Sequence, residues 1–166
     1  MGFFSNSDPG LTPPAEELAP VSYDRLKSVL ESHEWNYSQQ EDGALVANWD
    51  HAHHFFLIFG ESDEMCAIRG IWSKKLTNPE RFSELLLHIN EWNKTKLFPK
   101  AYLLDDDEPS ATVGFECVID YEFGVTEKQL DLLVRQTLVT GHQLCEQLDG
   151  AFPDAVSQIE EPKEQS

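Results

Sequence analysis

The stretch 111–148, ATVGFECVIDYEFGVTEKQLDLLVRQTLVTGHQLCEQL, changes its hydrophobic period halfway along, and that change decides the fold class. Val113, Phe115, Cys117, Ile119, Tyr121 and Phe123 alternate with Thr112, Gly114, Glu116, Asp120 and Glu122, with Val118 as the exception. A period of two sends successive side chains to opposite faces, so the segment predicts a strand with one buried face and one wet face. After Gly124 the spacing becomes three and four, and Leu130, Leu133, Val134, Leu138, Gly141, Cys145 and Leu148 form the apolar stripe of a long helix. Thr126 and Gln129 have the spacing of a capping box, while Val125 and Leu130 have that of a hydrophobic staple.

Working back from this pair, Ala101 to Leu104 reads as a short strand joined to it by the acidic turn Asp105-Asp106-Asp107-Glu108-Pro109. That run lacks the alternating acids and central glycine of a calcium loop and fits a solvated hairpin tip. Asn78-Pro79-Glu80 opens a second helix with a cap, a proline in the first turn and an acid suited to the helix dipole. Phe82, Leu85, Leu86, Ile89 and Trp92 are its expected buried face, and it must stop before Pro99. Further back, alternation begins at Trp35 and Tyr37, turns at Asp42-Gly43 and continues through Ala44–Trp49, His53–Phe59 and Met65–Trp72 as an antiparallel meander. Ser22 caps a first helix whose inward stripe is Tyr23, Leu26, Val29 and Leu30. The predicted order α-β-β-β-α-β-β-α, without single strands alternating with helices, gives an α+β fold: an antiparallel sheet of about five strands with three helices packed on it.

Residues 1–20 carry Pro9, Pro13, Pro14 and Pro20 and read as a flexible arm, residues 21–152 as a single domain, and residues 153–166 as a disordered acidic tail. Thirty acidic residues against twelve basic ones give a formal charge of −18, whose field repels nucleic acid and anionic lipid. No apolar run approaches the roughly 20 residues of a membrane helix, and nothing reads as a secretion signal. Cys66, Cys117 and Cys145 are odd in number and widely spaced, as buried structural thiols in a reducing compartment would be, so the expected location is the cytoplasm.

Phosphate cradle, nucleophile elbow and a Ser or Cys paired with a base are all missing, so no catalytic residue and no cofactor is expected. In Asp50-His51-Ala52-His53-His54, His51 and His53 are two apart and on a strand would share one side, the alternative being a metal or small-ligand sensor built on this cluster. A stable zinc site needs a third and usually a fourth ligand, and polar residues at a strand edge are the ordinary reading. Asn90 and Asn93, three apart on the second helix, either tie its end to the loop near Pro99 or contact a partner. His53–Phe59 is apolar on both faces, with Phe55, Leu57 and Phe59 opposing Phe56 and Ile58, so helices, a second subunit or a client must cover the second face. Trp35, Trp49 and Trp72 add large aromatic groups that read either as core or as interface anchors; on the second reading the sheet or its edge is a protein-binding or homodimerisation surface, with Trp49, Phe56, Ile58, Trp72, Asn90 and Asn93 as candidate contacts.

Gly70-Ile71-Trp72, Ile89-Asn90-Glu91-Trp92-Asn93, Pro99-Lys100-Ala101-Tyr102 and Gly124-Val125-Thr126, in this order of elements, resemble the YbjN family of bacterial sensory transduction regulators over roughly Ser22 to Phe152. The resemblance implies a fold similar to type III secretion chaperones and a non-enzymatic regulatory or chaperone-like module, often dimeric in related folds, acting on a partner polypeptide. It carries over no catalytic residue.

Overall fold

The structure, a computed structural model, describes residues 17–49, 51–105 and 109–158. Its elements follow the order α1 (Tyr23–Ser32), β1 (Ser38–Gln39), β2 (Leu45–Trp49), β3 (Ala52–Phe59), β4 (Met65–Trp72), β5 (Lys74–Lys75), α2 (Phe82–Thr95), β6 (Lys100–Asp105), β7 (Ala111–Asp120), α3 (Glu127–Ala151) and β8 (Val156–Ser157). A six-stranded antiparallel sheet runs β1-β2-β3-β4-β7-β6, one strand more than the sequence suggested because β1 is only two residues long.

Each helix start has a local cause. Ser22 Oγ accepts from the Arg25 N–H at the head of α1, and Asn78 Oδ1 accepts from the Glu80 N–H in a short 3-10 turn leading into α2. At α3 the capping box is complete, with Gln129 N–H donating to Thr126 Oγ1 and Thr126 N–H donating to Gln129 Oε1. Gly43 has φ +92° at the β1–β2 turn, where its N–H donates to Gln40 O.

All three helices pack on one face of the sheet. Leu45, Phe56, Ile68 and Cys117 stand side by side across β2, β3, β4 and β7, and meet Leu26, Leu30, Leu130 and Val134 of α1 and α3. The other half of the same face, with Trp72, Val113 and Phe115, packs under Leu85, Ile89 and Trp92 of α2 and Leu144, Cys145 and Leu148 of α3. Phe115 is clamped between two glycines: a Cβ on Gly70 would lie 2.0 Å from its Cζ, and one on Gly141 would lie 2.3 Å from its Cε2. These glycines let strand and helix close on an aromatic ring.

Two expectations are corrected. β7 ends at Asp120, and Tyr121 to Gly124 turns out of the sheet, so Phe123 is 84% exposed instead of continuing the buried alternation. Leu86 is 46% exposed because Leu85, Ile89 and Trp92, at i, i+4 and i+7, take the sheet-facing stripe of α2. Of the segment read as a tail, β8 pairs with β5, and Gln158 Nε2 donates to Trp72 O, Lys74 O and Thr112 Oγ1, while 159–166 lie outside the described residues. Of the arm, 1–16 lie outside the described residues, and Ala19 bridges Val125, held by the Arg25 guanidinium, which donates to Ala19 O, Pro20 O and Val125 O.

Candidate functional site

One-sided helix packing leaves the other face of the sheet without a described element on it. Register builds that face row by row. Val46, Phe55, Arg69, Glu116 and Lys100 are neighbours across β2, β3, β4, β7 and β6. Leu57, Ala67 and Val118 form the next row, and Phe59, Met65 and Asp120 the one after. On the other side lie His53, Ile71, Gly114 and Tyr102. Phe59 is 40% and Val118 38% exposed, and Val46, Phe55, Leu57, Met65 and Ile71 are half-buried.

A charged strip crosses the middle. Glu116, nearly buried, accepts from Arg69 Nε at 2.6 Å and from Lys100 Nζ at 2.6 Å. Burial pushes its carboxyl upward, but the bonds from Lys100 and Arg69 outweigh burial and hold it below the usual range. The two cations remain largely open to solvent while their charge is compensated, an arrangement in which Arg69 can turn its free N–H groups toward an arriving acceptor. β6 pairs with β7 only as far as Glu116, so from Cys117 to Asp120 no described strand occupies that side of β7. Beside this open edge lies a groove of about 410 Å³ walled by Leu97, Phe98, Val118, Ile119 and Leu133. Apolar side chains, a compensated charge pair and a free strand edge are what an extended polypeptide needs for docking.

The sequence candidates are distributed differently. Phe56 and Trp72 are fully buried on the helix-covered face and are core residues, not surface contacts, because the odd-numbered positions of β3 face the open side and the even-numbered ones the helices. Trp49 and Ile58 are half-buried on that same covered face, with the Ile58 N–H donating to Tyr23 Oη. Asn90 is exposed on α2, and Asn93 Nδ2 donates to Ala101 O at 2.9 Å while its Oδ1 accepts from Ala101 N–H at 3.0 Å, tying α2 to β6.

His51 and His53 do not form a pair. β3 starts at Ala52, so strand alternation does not reach His51, whose Nδ1 lies 2.9 Å from Asp149 Oδ2 and whose ring meets His142 of α3. His53 is on the open face with Nδ1 2.8 Å from Asn48 Oδ1. Asp149 also accepts from Trp72 Nε1 and pairs with Lys74; burial pushes it up, but these partners hold its carboxyl below the usual range. Asp50 and the tip 106–108 of the acidic turn lie outside the described residues, among which no cluster of three metal-capable side chains occurs. Sequence reasoning missed Arg69, Glu116 and Lys100; the usable signal was a charge of each sign in the middle of two apolar strands.

No described helix is long and apolar enough to cross a membrane. No curated protein matches the chain. Among solved structures, one described as "YbjN, a putative transcription regulator from E. coli" is similar, with 16% identity over 86% of this chain and 100% of that one and a TM-score of 0.71. At that identity the likeness shows the shared fold. The model of the YbjN family, described as "Putative bacterial sensory transduction regulator", matches residues 22–150, and the chain belongs to this family.

Proposed function

We propose that this domain is a non-enzymatic, cytoplasmic regulatory module that acts by docking a protein partner on the open face of its sheet. The one-sided packing supports this reading: Phe55, Leu57, Phe59 and Ile71 stand together on neighbouring central strands with no described element over them. The family's description as a regulator fits a role exerted through contact. The thiols fit it too, since burial pushes Cys66 and Cys145 up to about 12 and raises Cys117, which keeps all three protonated and poorly nucleophilic at neutral pH.

Affinity capture from the native bacterium tests the reading when wild type is compared with Leu57→Lys, Val118→Lys and Leu87→Lys. Leu57 and Val118 lie on the open face, whereas Leu87 is exposed on α2 and serves as the control. Wild type and Leu87→Lys retain the same stoichiometric protein, and the open-face variants retain at least ~10-fold less. Equal retention by all four, or none by any, overturns the proposal. Sedimentation of the same set reports whether the partner is a second copy of this chain.

A further inference from the structure

His54 is 5% exposed on the helix-covered face of β3, and neither of its ring nitrogens has a hydrogen-bond partner among the described residues. Its ring lies against Trp49, centroid to centroid 4.9 Å, and edge-on to Phe115 at 5.8 Å. A neutral imidazole brings one donor and one acceptor, and burying both unmet is unfavourable enough that such groups are rare. Burial pulls this imidazole down to about 4 against an upward pull from the Ala52 backbone, with His53 and His142 adding to the lowering, so at neutral pH it is the uncharged form that waits there.

His54 lines a cavity of about 170 Å³ together with Trp49, Ala52, Leu138 and His142. Trp49, Leu138 and His142 also wall a wider cleft of about 450 Å³, which Trp35 and Glu146 complete toward solvent. A dry cavity of roughly 150 Å³ is enough to take up one benzene ring, so the inner space suits a small aromatic ring system. The walls select further. Two tryptophans and a leucine offer flat apolar surface, the imidazoles offer donors and acceptors, and among the lining residues the fixed charge is the Glu146 carboxylate. An anionic ligand would meet no compensating cation there and would also face the −18 charge of the chain.

We infer that the cleft between the β2–β3 hairpin and α3 is a binding site for a small, flat, uncharged or weakly basic heteroaromatic molecule that carries a hydrogen-bond donor and an acceptor and pairs with His54. The ring slides between Trp49 and Leu138; the His54 nitrogens present almost no surface to the cavity in the unliganded packing, so the imidazole turns to bring them to the polar edge of the ligand. The site is on the opposite side of the sheet from the docking face, so it stands or falls independently of that reading. It gives a regulatory domain a place to read a small molecule.

The test titrates three isosteric probes into the full chain at neutral pH: benzimidazole with a donor and an acceptor, indole with a donor only, and indene with neither. Tryptophan fluorescence follows binding, and long-range ¹⁵N–¹H correlations follow the His54 ring nitrogens. Benzimidazole binds saturably and shifts the His54 nitrogens, indole binds more weakly, and indene is weaker than benzimidazole by at least ~10-fold. His54→Phe erases the ranking. Val139→Trp, at an exposed position on the cleft wall that leaves the core untouched, blocks all three probes. No saturable binding, equal affinity for the three, or His54 signals that do not move, as a cavity holding only water would give, overturns the inference.

Discussion

Acid should unfold this protein through one histidine before it acts on the carboxylates. Burial lowers His54 from its ordinary 6.5 to about 4. The unfolded chain therefore binds this proton near pH 6.5 while the folded chain resists it until about 4. The stability linked to His54 is fully present above 6.5 and is lost as pH falls toward the folded value, ending at a deficit of about 3 kcal/mol. At pH 5 the deficit has reached about 2 kcal/mol, or roughly 4–8 °C in Tm for a chain of this size. Asp149, Asp131 and Glu116, all held low, add their own losses only below their ordinary values of 3.8 to 4.5, so the window from about 6.5 to 4.5 belongs to histidine. Urea unfolding followed by tryptophan fluorescence at pH 7.5 and pH 5, on wild type and His54→Phe, isolates the effect. The wild type loses about 2 kcal/mol more than the variant between the two pH values. Parallel losses in both proteins would refute the buried, unpartnered histidine.

Gly141→Ala drives a methyl into the Phe115 ring and destabilises by about 1–3 kcal/mol in urea, while Phe115→Leu in the same chain recovers part of the loss through a negative interaction energy. Asn93→Ala removes both bonds to Ala101 and costs about 1–2 kcal/mol, with faster amide exchange at the start of β6 as the local readout. Thr126→Ala breaks the capping box and costs about 1 kcal/mol by the same unfolding assay.

Much of the fold is written locally. Ser22 and Thr126 each place a polar side chain where the first free N–H groups of α1 and α3 need one, and Asn78 does the same for the 3-10 turn that leads into α2. Period and phase marked Leu85, Ile89 and Trp92 as sheet-facing, but Leu86 and Phe123 were assigned to the interior because periodicity does not say where a stripe narrows or a strand leaves its sheet. β5 and β8, two residues each, are too short to show any period; tertiary pairing alone makes them strands.

The site divides the same way. Both faces of β3 are apolar in the sequence, so an extra covering was readable, yet only the side on which α1, α2 and α3 land decides that Phe55, Leu57 and Phe59 are the ones left over. His54 looked like a member of a polar cluster. Register sets it between Ala47 and Gly70, two small cross-strand partners that leave room for an imidazole under α3. His142 and Asp149 join His51 across more than ninety residues of chain, a distance over which no local pattern carries information.

Site-specific photo-crosslinking in the native cell addresses the open sheet face most directly. With a photoreactive residue at position 57, irradiation gives one discrete adduct of fixed mass, and the same group at position 87 on the outer side of α2 gives none. Adducts that are equally abundant at both positions, or missing at position 57, would contradict a dedicated docking face on the bare side of the sheet.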